Sequence, residues 1–415
     1  MLTSLILSAA LAAIPSDPSA SSGLVVHEWG TFTSVQGSDG VALEGLQHEE
    51  ESLPAFVYSR SKVRDCPLRD RGYKGLEVDV AHVTKKMETP VIYFYSATRQ
   101  RVRLRVDFVK GLLTQWFPVT DLLGPPEGSH DAGPLDMSKV ERSFLEWDFE
   151  VLPPGEGADA LPAVGKRSPW TWQRLPASNL VRTLPRVSPR SGPVETEKFL
   201  FYRGLGSFDL PVHARAESGS RIVVSNQSPW DLKGLFVLHV QGGRGEFSFV
   251  DGIAAGKEIE IARPLSAGAP PVHAMVEALI PALEAELVAR GLFADEAEAM
   301  ARTWERSYFR TEGLRVLYVV PAPATEAILP LAMEPQPTSI VRVLVGRLEC
   351  ITPEAEADVR QALLERTSAD PAARAAADER LAGLGRFLEP HLRRAIAGSG
   401  DPAVVASAME LLAGL

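Results

Sequence analysis

The chain has 415 residues, of which 45% are hydrophobic and 23% charged, and it carries a formal net charge of −10. Such a composition is typical of a folded globular protein, and the length allows about two or three domains. The negative charge argues against nucleic acid and anionic membrane surfaces as partners, because both attract basic protein surfaces.

The N-terminal segment predicts export. Residues 1–22 contain an apolar run, Leu2 to Ile14, which is too short to span a bilayer and is followed by Ser and Pro. This is the outline of a signal peptide, although no Lys or Arg precedes the apolar run. The alternative is a buried N-terminal helix, which the Ser/Pro stretch disfavours. We therefore expect a periplasmic or secreted protein with no integral membrane segment in its mature chain.

The chain has two cysteines, Cys66 and Cys350. In an oxidising compartment they could form a disulfide bond, provided that their Cα atoms lie within about 7 Å. The sequence leaves this pairing open. Two cysteines so far apart along the chain do not make a zinc site by themselves.

Residues 23–151 are predicted to form a first β-sandwich-like module. It begins with Val25 to Gly40, a strand that we expect to bulge at Gly30 and to end in a turn. Pro90 to Ser96 is rich in β-branched and aromatic residues, as in a strand covered on both faces. Arg101 to Phe108 alternates apolar with charged residues, which predicts an antiparallel strand packed on a core. We expect these last two runs to form a hairpin.

The middle of the chain divides into a connection and a second β region. Residues 152–195 are rich in Pro, Gly and Ser, so they form either a linker or an irregular cover, and Trp170 and Trp172 favour the cover. Residues 196–350 carry short strands separated by turn signals, which predicts a second β-sandwich-like module. A helical insertion is expected within it, at 272–306.

From residue 351 the composition shifts to Ala, Leu, Glu and Arg, which favours helices. Thr352, Asp370 and Asp401 are each followed by Pro, the signature of an N-cap and first helical residue. Residues 351–415 are therefore predicted to be an α-helical, HEAT-like tail that docks or caps. The predicted fold class is mainly β, with two β-sandwich-like modules, a helical insertion and this tail.

Catalytic signatures are absent, since the sequence has no HExxH, GxSxG or GxxxxGK[ST] pattern. His27 and His48 are candidate ligands of a divalent metal, with Glu28, Glu49 or Glu88 as carboxylate partners. In a regular strand His27 and Glu28 point to opposite faces, so only a bulge would bring them together. A hydrogen-bonded structural histidine is the simpler alternative for His27.

Charged residues flank two predicted strands. Glu88 precedes the clearest strand of the first half, and Glu197 and Arg203 bracket the first strand of the second β region. We hypothesise that these candidate catalytic residues converge where the two regions meet, because clefts between domains are favoured ligand sites. The alternative is a set of salt bridges, or a charged edge that discourages edge pairing.

A row of arginines lies on one face of a predicted strand. Arg101, Arg103 and Arg105, together with Trp29, are candidate ligand-binding residues, and the arginines suit an acidic glycan or phosphate. Such a row is equally typical of a solvated face paired with acidic residues on the next strand.

Five sequence runs belong together: HEWGTFTSVQGSDG at 27–40, KMETPVIYFYS at 86–96, EKFLFYRGLG at 197–206, YFRTEGLRVLYVVP at 308–321 and VRVLVGRLE at 341–349. They resemble an uncharacterised family of exported bacterial proteins that share a HEWGTFT-type start. The resemblance covers most of the mature chain and implies export and a shared fold. It implies no activity and no site residues.

We expect an extracytoplasmic binding or scaffold protein, with a glycan or a protein as its ligand. The competing hypothesis is a metal-assisted hydrolase that acts on an envelope or extracellular polymer. It is motivated by His27, Glu28, His48 and Glu88 near predicted strand ends.

Overall fold

The structure is a computed structural model that describes residues 23–48, 52–60, 80–125, 135–185, 194–217 and 220–415. The predicted signal peptide, Glu49 and Cys66 lie outside the described residues, so the leader and the Cys66–Cys350 pairing stay predictions. Cys350 itself is buried.

Strands are the main secondary structure of the described residues before residue 351. Numbered along the chain, they are β1 (Val25–Gln36), β2 (Tyr58–Ser59), β3 (Val80–Ala81), β4 (Lys85–Tyr95), β5 (Gln100–Val109), β6 (Gly111–Phe117), β7 (Leu122–Gly124), β8 (Leu135–Asp136), β9 (Arg142–Val151), β10 (Val181–Thr183), β11 (Thr196–Glu197), β12 (Leu200–Gly206), β13 (Val212–Glu217), β14 (Arg221–Asn226), β15 (Leu232–Gln241), β16 (Arg244–Ile253), β17 (Glu258–Ala262), β18 (Gly313–Val319), β19 (Leu331–Glu334) and β20 (Ser339–Cys350).

Most of the helices belong to the insertion and the C-terminal tail. They are α1 (Trp170–Gln173), α2 (Val272–Ala289), α3 (Ala294–Trp304), α4 (Ala322–Ile328), α5 (Pro353–Glu365), α6 (Pro371–Ala382), α7 (Leu388–Gly398) and α8 (Pro402–Gly414). A π-helical turn, Glu305–Phe309, continues α3. Within the described ranges, no helix combines the length and the apolar character needed to cross a bilayer.

The strands form one large sheet and three smaller ones. The nine-stranded sheet has the order β16-β15-β18-β20-β1-β4-β12-β6-β2. A six-stranded sheet runs β11-β10-β9-β5-β19, with β7 also paired to β9, and a three-stranded sheet runs β13-β14-β17. The strands β3 and β8 form a short parallel pair. The predicted mainly β fold with a helical C-terminal region is confirmed at this level.

The nine-stranded sheet is covered on both faces. One face packs on the smaller sheets through a buried apolar cluster that includes Phe94 and Trp147. The other face packs on α2, α3 and the segment around Trp170, through a second cluster that includes Trp29 and Trp304. Burying each such side chain contributes about 1.5–3 kcal/mol, so the large sheet anchors the whole body. The tail has a small core of its own.

The division into two β modules, 23–151 and 196–350, is wrong. The nine-stranded sheet takes β1, β4 and β6 from the first range and β12, β15 and β20 from the second. The strand β1 runs parallel to β20, from Val25 beside Ser339 to Gln36 beside Cys350. Turn signals along a sequence show where strands end, but they do not show which distant strand becomes the partner.

The predicted hairpin of β4 and β5 is also wrong. The strand β5 has its apolar side chains buried and its arginines outward, as its alternation predicts. However, β5 pairs with β9 and β19, whereas β4 pairs with β1 and β12 in the nine-stranded sheet. The sheets that contain β4 and β5 pack on each other across the core, where the Phe94 ring of β4 lies 5.0 Å from the Phe149 ring of β9.

The described part of the connection is an irregular cover, and the C-terminal region is helical, as predicted. Residues 152–185 form an irregular cover, with Trp170 buried against the nine-stranded sheet. In the tail, the side chains of Thr352, Asp370 and Asp401 each cap the helix that follows. A side-chain cap of this kind stabilises a helix by about 1 kcal/mol, which explains why these helix starts were predictable.

Candidate functional site

Four neighbouring strands of the nine-stranded sheet are irregular at the same level. The pairing of β1 with β4 shifts between Trp29 and Thr31. On the other side of β4, the pairing of β12 shifts between Phe201 and Gly204, and β12 shifts again against β6 beside Gly204. Bulges bend a strand and re-aim its side chains, and they are over-represented next to active sites. We call this feature the bulge line.

Glycines make the bulge line possible. A Cβ atom at Gly30 would lie 2.8 Å from the Cα of Pro90, and one at Gly204 would lie 2.2 Å from the carbonyl oxygen of Leu112. Neither position can accept a side chain without moving the neighbouring backbone. The bulge predicted at Gly30 is therefore confirmed, and the reason is the close approach of β4.

Thr89 lies at the centre of the bulge line with a φ of 49°. A β-branched residue with positive φ is a genuine outlier, because its side chain crowds its own backbone. Backbone strain of this kind costs about 1–3 kcal/mol and concentrates at functional sites. Thr89 also lines a cavity beside the bulge line.

Two neighbouring cavities lie beside the bulge line, and we call them together the cleft. The inner chamber, of about 40 Å³, is lined by Lys86, Glu88, Thr89, Trp170, Gln173 and Arg203, among others. The outer chamber, of about 600 Å³, adds Arg167, Arg306 and Ser307. The two chambers share Ser52, Ser168 and Pro169 in their walls.

Glu88 is the acidic residue among the described residues that line the inner chamber, and its carboxylate has several partners. Arg386 of the tail places Nη1 3.1 Å from Oε1, and Lys86 places Nζ 3.5 Å from the same oxygen. The hydroxyl of Tyr308 donates to Oε2 at 3.1 Å. Lys86 also donates to the carbonyl of His48. Side chains from β4, from the end of α3 and from the tail thus meet at one carboxylate.

A second ionic cluster continues from Glu88 through Tyr308. The guanidinium of Arg347 lies 4.1 Å from the centre of the Tyr308 ring. Both Arg347 and Arg315 bind Glu349, with closest distances of 2.5 Å and 3.1 Å. The two arginine side chains are fully buried. Arg386 and Arg347 both donate to the carbonyl of Ser307, which lines the outer chamber.

Burial and charge shift the pKa values of this cluster. Burial lowers the pKa of Arg315 to about 10. Burial alone would raise the pKa of Glu349, but Arg315 and Arg347 outweigh it and hold that pKa below its usual range. Burial, together with the charge of Glu88, raises the pKa of Tyr308. Tyr308 is therefore a neutral hydroxyl at neutral pH and can donate to Glu88.

The three residues proposed to converge lie close to one another but play different parts. Glu88 and Arg203 both line the inner chamber. Glu197 does not line it; it is fully buried, 2.6 Å from Arg174, and accepts a hydrogen bond from the indole of Trp170 at 2.9 Å. Trp170 is itself a wall of the chamber, so Glu197 positions the wall. Glu88, Glu197 and Arg203 thus lie within one sheet and its cover rather than between two modules.

Two polar oxygens in the wall of the inner chamber have no hydrogen-bond partner within the described residues: Oγ1 of Thr89 and Oε1 of Gln173. Both atoms are buried, and Gln173 as a residue is only 1% exposed. Buried side-chain polar atoms nearly always have a partner. Among the described residues these two are the buried, unpartnered side-chain oxygens whose residues line the inner chamber.

The two candidate metal-binding histidines lie in different contacts. His27 is buried, with Nδ1 2.7 Å from Glu296 and its ring 4.4 Å from the ring of Phe293. His48 contacts Glu389 of the tail at 2.7 Å. Among the described residues, no three His, Cys, Asp or Glu side chains are grouped to hold one metal ion. His27 and His48 thus each contact a carboxylate from another part of the fold, and each contact joins two separate parts.

Glu28, the other carboxylate considered for His27, lies on the opposite face of β1. It is buried and binds Arg342 at 2.5 Å, and it accepts a hydrogen bond from Tyr202. The bulge at Gly30 follows this pair in the chain, so the ordinary alternation of a strand still separates His27 from Glu28.

The proposed arginine surface is paired with acidic residues. Arg101 and Arg103 both contact Asp148, at 2.8 Å and 3.7 Å, and Arg105 binds Asp107. Trp29 is fully buried in the second apolar cluster. The three arginines therefore lie on an outer face where acidic residues balance their charge, and Trp29 lies in the core. The four residues do not form one binding surface.

Several residues of the cleft were not predicted from the sequence. Thr89 and Tyr308 lie in two of the runs that carry the family resemblance, which was the available signal. Arg167, Gln173 and Arg306 lie in an irregular segment or at a helix end, where no pattern marks them. Their roles follow only from the three-dimensional path of the chain.

No protein-family model matches the sequence, and no curated protein matches it. Among solved structures, the chain is similar to the yeast delta-COP-I mu-homology domain, with 9% identity over 80% of this chain and 98% of that chain, at a TM-score of 0.25. The same domain complexed with a Dsl1 WxWxV peptide matches with 9% identity over 81% and 98% of the two chains, at a TM-score of 0.24. Likenesses at this level carry no conclusion about this protein.

Proposed function

We propose that the protein is an extracytoplasmic binding protein that holds a small polar ligand in the cleft. The observation that carries the proposal is the pair of buried, unpartnered oxygens of Thr89 and Gln173 in the wall of the inner chamber. Leaving such a group without a partner costs about 1–3 kcal/mol, and a ligand that bonds to both would recover that free energy. A pure scaffold would gain nothing from them.

The location outside the cytoplasm rests on the leader, residues 1–22, and on the resemblance to exported proteins. The HEAT-like tail fits a supporting role. Its Arg386 binds Glu88, and its Glu389 binds His48, whose carbonyl accepts from Lys86. We propose that the tail holds the charged residues of the inner chamber in place.

The competing function, metal-assisted hydrolysis, has weaker support. Its candidate ligands, His27 and His48, each contact a different carboxylate in a different part of the fold. Metal analysis of untagged protein checks this alternative directly. If the wild-type protein holds stoichiometric metal and a folded His27→Ala variant does not, the result would favour the hydrolase. It would count against a cleft that only binds a ligand.

Ligand-observed NMR with pools of small polar compounds tests the binding proposal. We expect at least one pool to show saturation transfer from the wild-type protein, and we expect the signal to be lost in Thr89→Val, which removes only the hydroxyl. Thr171→Val is the matched control, because Thr171 is exposed and lies beside the cleft on α1. Equal signals from wild type and Thr89→Val would contradict the proposed site.

A further inference from the structure

We infer that strand β16 is an interaction surface, and that its partner is β16 of a second copy of this chain. The two strands run antiparallel about a two-fold axis and join the nine-stranded sheets of the two copies into one continuous sheet. This inference is independent of the cleft. It follows from the length of the edge, from its free backbone groups, and from the symmetry of its sequence about Phe249.

The strand β16 is the longest sheet edge among the described residues. It has ten residues, Arg244–Ile253, and β15 is its neighbour in the sheet. The opposite edge of the same sheet is β2, which has two residues. Proteins protect exposed edges with short strands, lysine, proline or bulges, because an unpaired edge is a template for another strand. The strand β16 contains no lysine or proline, and its pairing with β15 has no register shift.

Alternate residues of β16 direct their backbone groups away from β15. Gln241 and Arg244 flank a two-residue turn and oppose each other, so Arg244 and every second residue after it bond to β15. The residues between them point outward. Gly245, the first of these, donates to the carbonyl of Pro270 at 3.0 Å. The beginning of the edge is therefore already occupied by the chain itself.

The next outward residues are Phe247, Phe249 and Asp251, and we call this segment the open edge. Beyond the pairing of β16 with β15, their backbone N–H and carbonyl groups make no hydrogen bond to any described residue. Phe249 and Asp251 are exposed, and Phe247 is half-buried. An extended strand added to such an edge forms main-chain hydrogen bonds along it. The open edge is thus a free, regular row of donors and acceptors.

An antiparallel pairing centred on Phe249 uses the whole open edge. It places Phe249 opposite Phe249 of the partner subunit, and Phe247 opposite Asp251 of the partner subunit. Opposed residues of this kind exchange two hydrogen bonds with each other. A pairing centred on Ser248 would instead oppose Asp251 to Gly245, whose N–H is already used. The register centred on Phe249 is therefore the favoured one.

The Phe249 side chain supports the same register. It is 47% exposed, although its ring lies 5.0 Å from the Phe236 ring on β15. Phe236 fixes one side of the Phe249 ring and leaves the other side open at the edge. In the dimer the two Phe249 side chains lie opposite each other across the axis, and an aromatic pair at such a position stabilises a sheet.

The charges of the strand are compatible with a second copy. In this register Asp251 lies opposite Phe247, and Glu246 lies opposite Gly252, so no two carboxylates are directly opposed. The Glu246 carboxylate is also engaged within its own chain, where Ser266 donates to it from its backbone N–H and its hydroxyl, both at 2.7 Å. Like charges directly opposite each other would destabilise the pairing. Their absence favours a copy of the same strand as the partner.

The contact is small, because each copy contributes one strand edge. Stable, specific interfaces bury about 1,200–2,000 Å² in total, and weak ones bury less. We therefore expect a reversible dimer with a Kd of roughly 1–100 µM.

Sedimentation velocity of the purified chain, over concentrations that span this range, tests the inference. We expect the wild-type protein to change from monomer to dimer as its concentration rises. Phe249→Lys opposes two ammonium groups at the axis and should weaken the dimer at least about tenfold. Met409→Lys is the matched control, because Met409 is 59% exposed and lies on α8. This control should associate as wild type does.

Single introduced cysteines test the register. Phe249→Cys places two thiols opposite each other with Cα atoms about 5.5 Å apart, which permits a disulfide bond. Asp251→Cys is the control, because residue 251 lies opposite residue 247 and the two introduced thiols are then about 13 Å apart along the strands. Mild oxidation should link Phe249→Cys into a covalent dimer at least about tenfold faster than Asp251→Cys. Both variants keep the native cysteines, so the difference reports on the introduced thiol.

The other outcomes would overturn the inference. A chain that stays monomeric at all concentrations would do so, as would a dimer that a folded Phe249→Lys retains in full. Equal linking of the two cysteine variants would also overturn it. Because Phe249 packs on Phe236, circular dichroism checks that each variant is folded, and the cysteine pair decides if Phe249→Lys is not. None of these results affects the proposed function, since β16 contributes no residue to the described walls of the cleft.

Discussion

Arg386 in the C-terminal tail and Glu88 on strand β4 form an ion pair, with Nη1 of the arginine 3.1 Å from Oε1 of the glutamate. The Arg386 side chain is 4% exposed and that of Glu88 is 13% exposed. The pair connects the helical tail to the inner chamber. The tail therefore supports a residue of the cleft wall, Glu88, through this ion pair.

Replacing Arg386 with Met should destabilise the protein by about 3 kcal/mol, because removal of one partner from a buried pair leaves the other charge without full compensation. Denaturation with urea measures this change. Arg380→Met is the control, since Arg380 lies on α6 in a more exposed pair and its loss should cost less than about 1 kcal/mol. Equal losses in the two variants would show that the Arg386–Glu88 pair does not join the tail to the sheet.

Thr89→Val should stabilise the ligand-free protein by about 1 kcal/mol while it abolishes ligand binding. The substitution keeps the shape of the side chain and removes a buried hydroxyl that has no partner within the described residues. A gain in stability coupled to a loss of function is typical of a residue retained for binding. Thermal unfolding of wild type and variant measures the first effect, and a lowered unfolding temperature would contradict this assignment.

Gly204→Ala should destabilise the protein by about 2 kcal/mol or more, because its Cβ would lie 2.2 Å from the carbonyl oxygen of Leu112. Gly400→Ala is the matched control: no atom lies within 4 Å of the Cβ position and its φ is not positive. Urea unfolding distinguishes the two. If Gly204→Ala unfolded at the same urea concentration as the control, the close approach at the bulge line would be disproved.

Lys85 should make stability depend on pH in the alkaline range. It is buried on β4, and burial lowers its pKa from 10.5 to about 8, with some opposition from Asp209. Below about pH 8 the folded protein bears the full cost of a buried charge. Between pH 8 and 10.5 the unfolded chain binds more protons, so this cost disappears as pH rises.

Lys85→Met should therefore be more stable than wild type at pH 7, by up to about 3 kcal/mol, and the difference should vanish near pH 10. Unfolding in urea at a series of pH values gives this curve. A difference between the two proteins that stays constant from pH 7 to 10 would mean that Lys85 does not titrate as its burial implies.

The fold shows which properties of the chain are encoded locally. The alternation in β5 correctly predicted its buried and outward faces, and the caps at Thr352, Asp370 and Asp401 correctly predicted three helix starts. Strand partners were not predictable in this way. The parallel pairing of Val25 with Ser339 joins distant parts of the chain, and period-two alternation carries no information about such a choice.

Only part of the candidate site was predictable, because residue types and spacings do not show how distant parts of the chain pack together. Glu88 and Arg203 attracted attention because charged residues stood beside apolar strands, and the structure places both in the inner chamber. The positive φ of Thr89 and the unpartnered oxygen of Gln173 arise from tertiary packing. No residue type or spacing predicts the positive φ of Thr89 or the unpartnered oxygen of Gln173. Both features were therefore found only in the structure.

Hydrogen–deuterium exchange of the chain, with and without a saturating concentration of a compound found in the NMR screen, tests the central claim that the cleft is the ligand site. The account predicts slower exchange in residues 165–173, which form the α1 wall, and around Thr89 on β4. Exchange in the arginine-bearing strand β5 should not change. Protection confined to β5, or no protection in residues 165–173 despite measurable binding, would contradict the account.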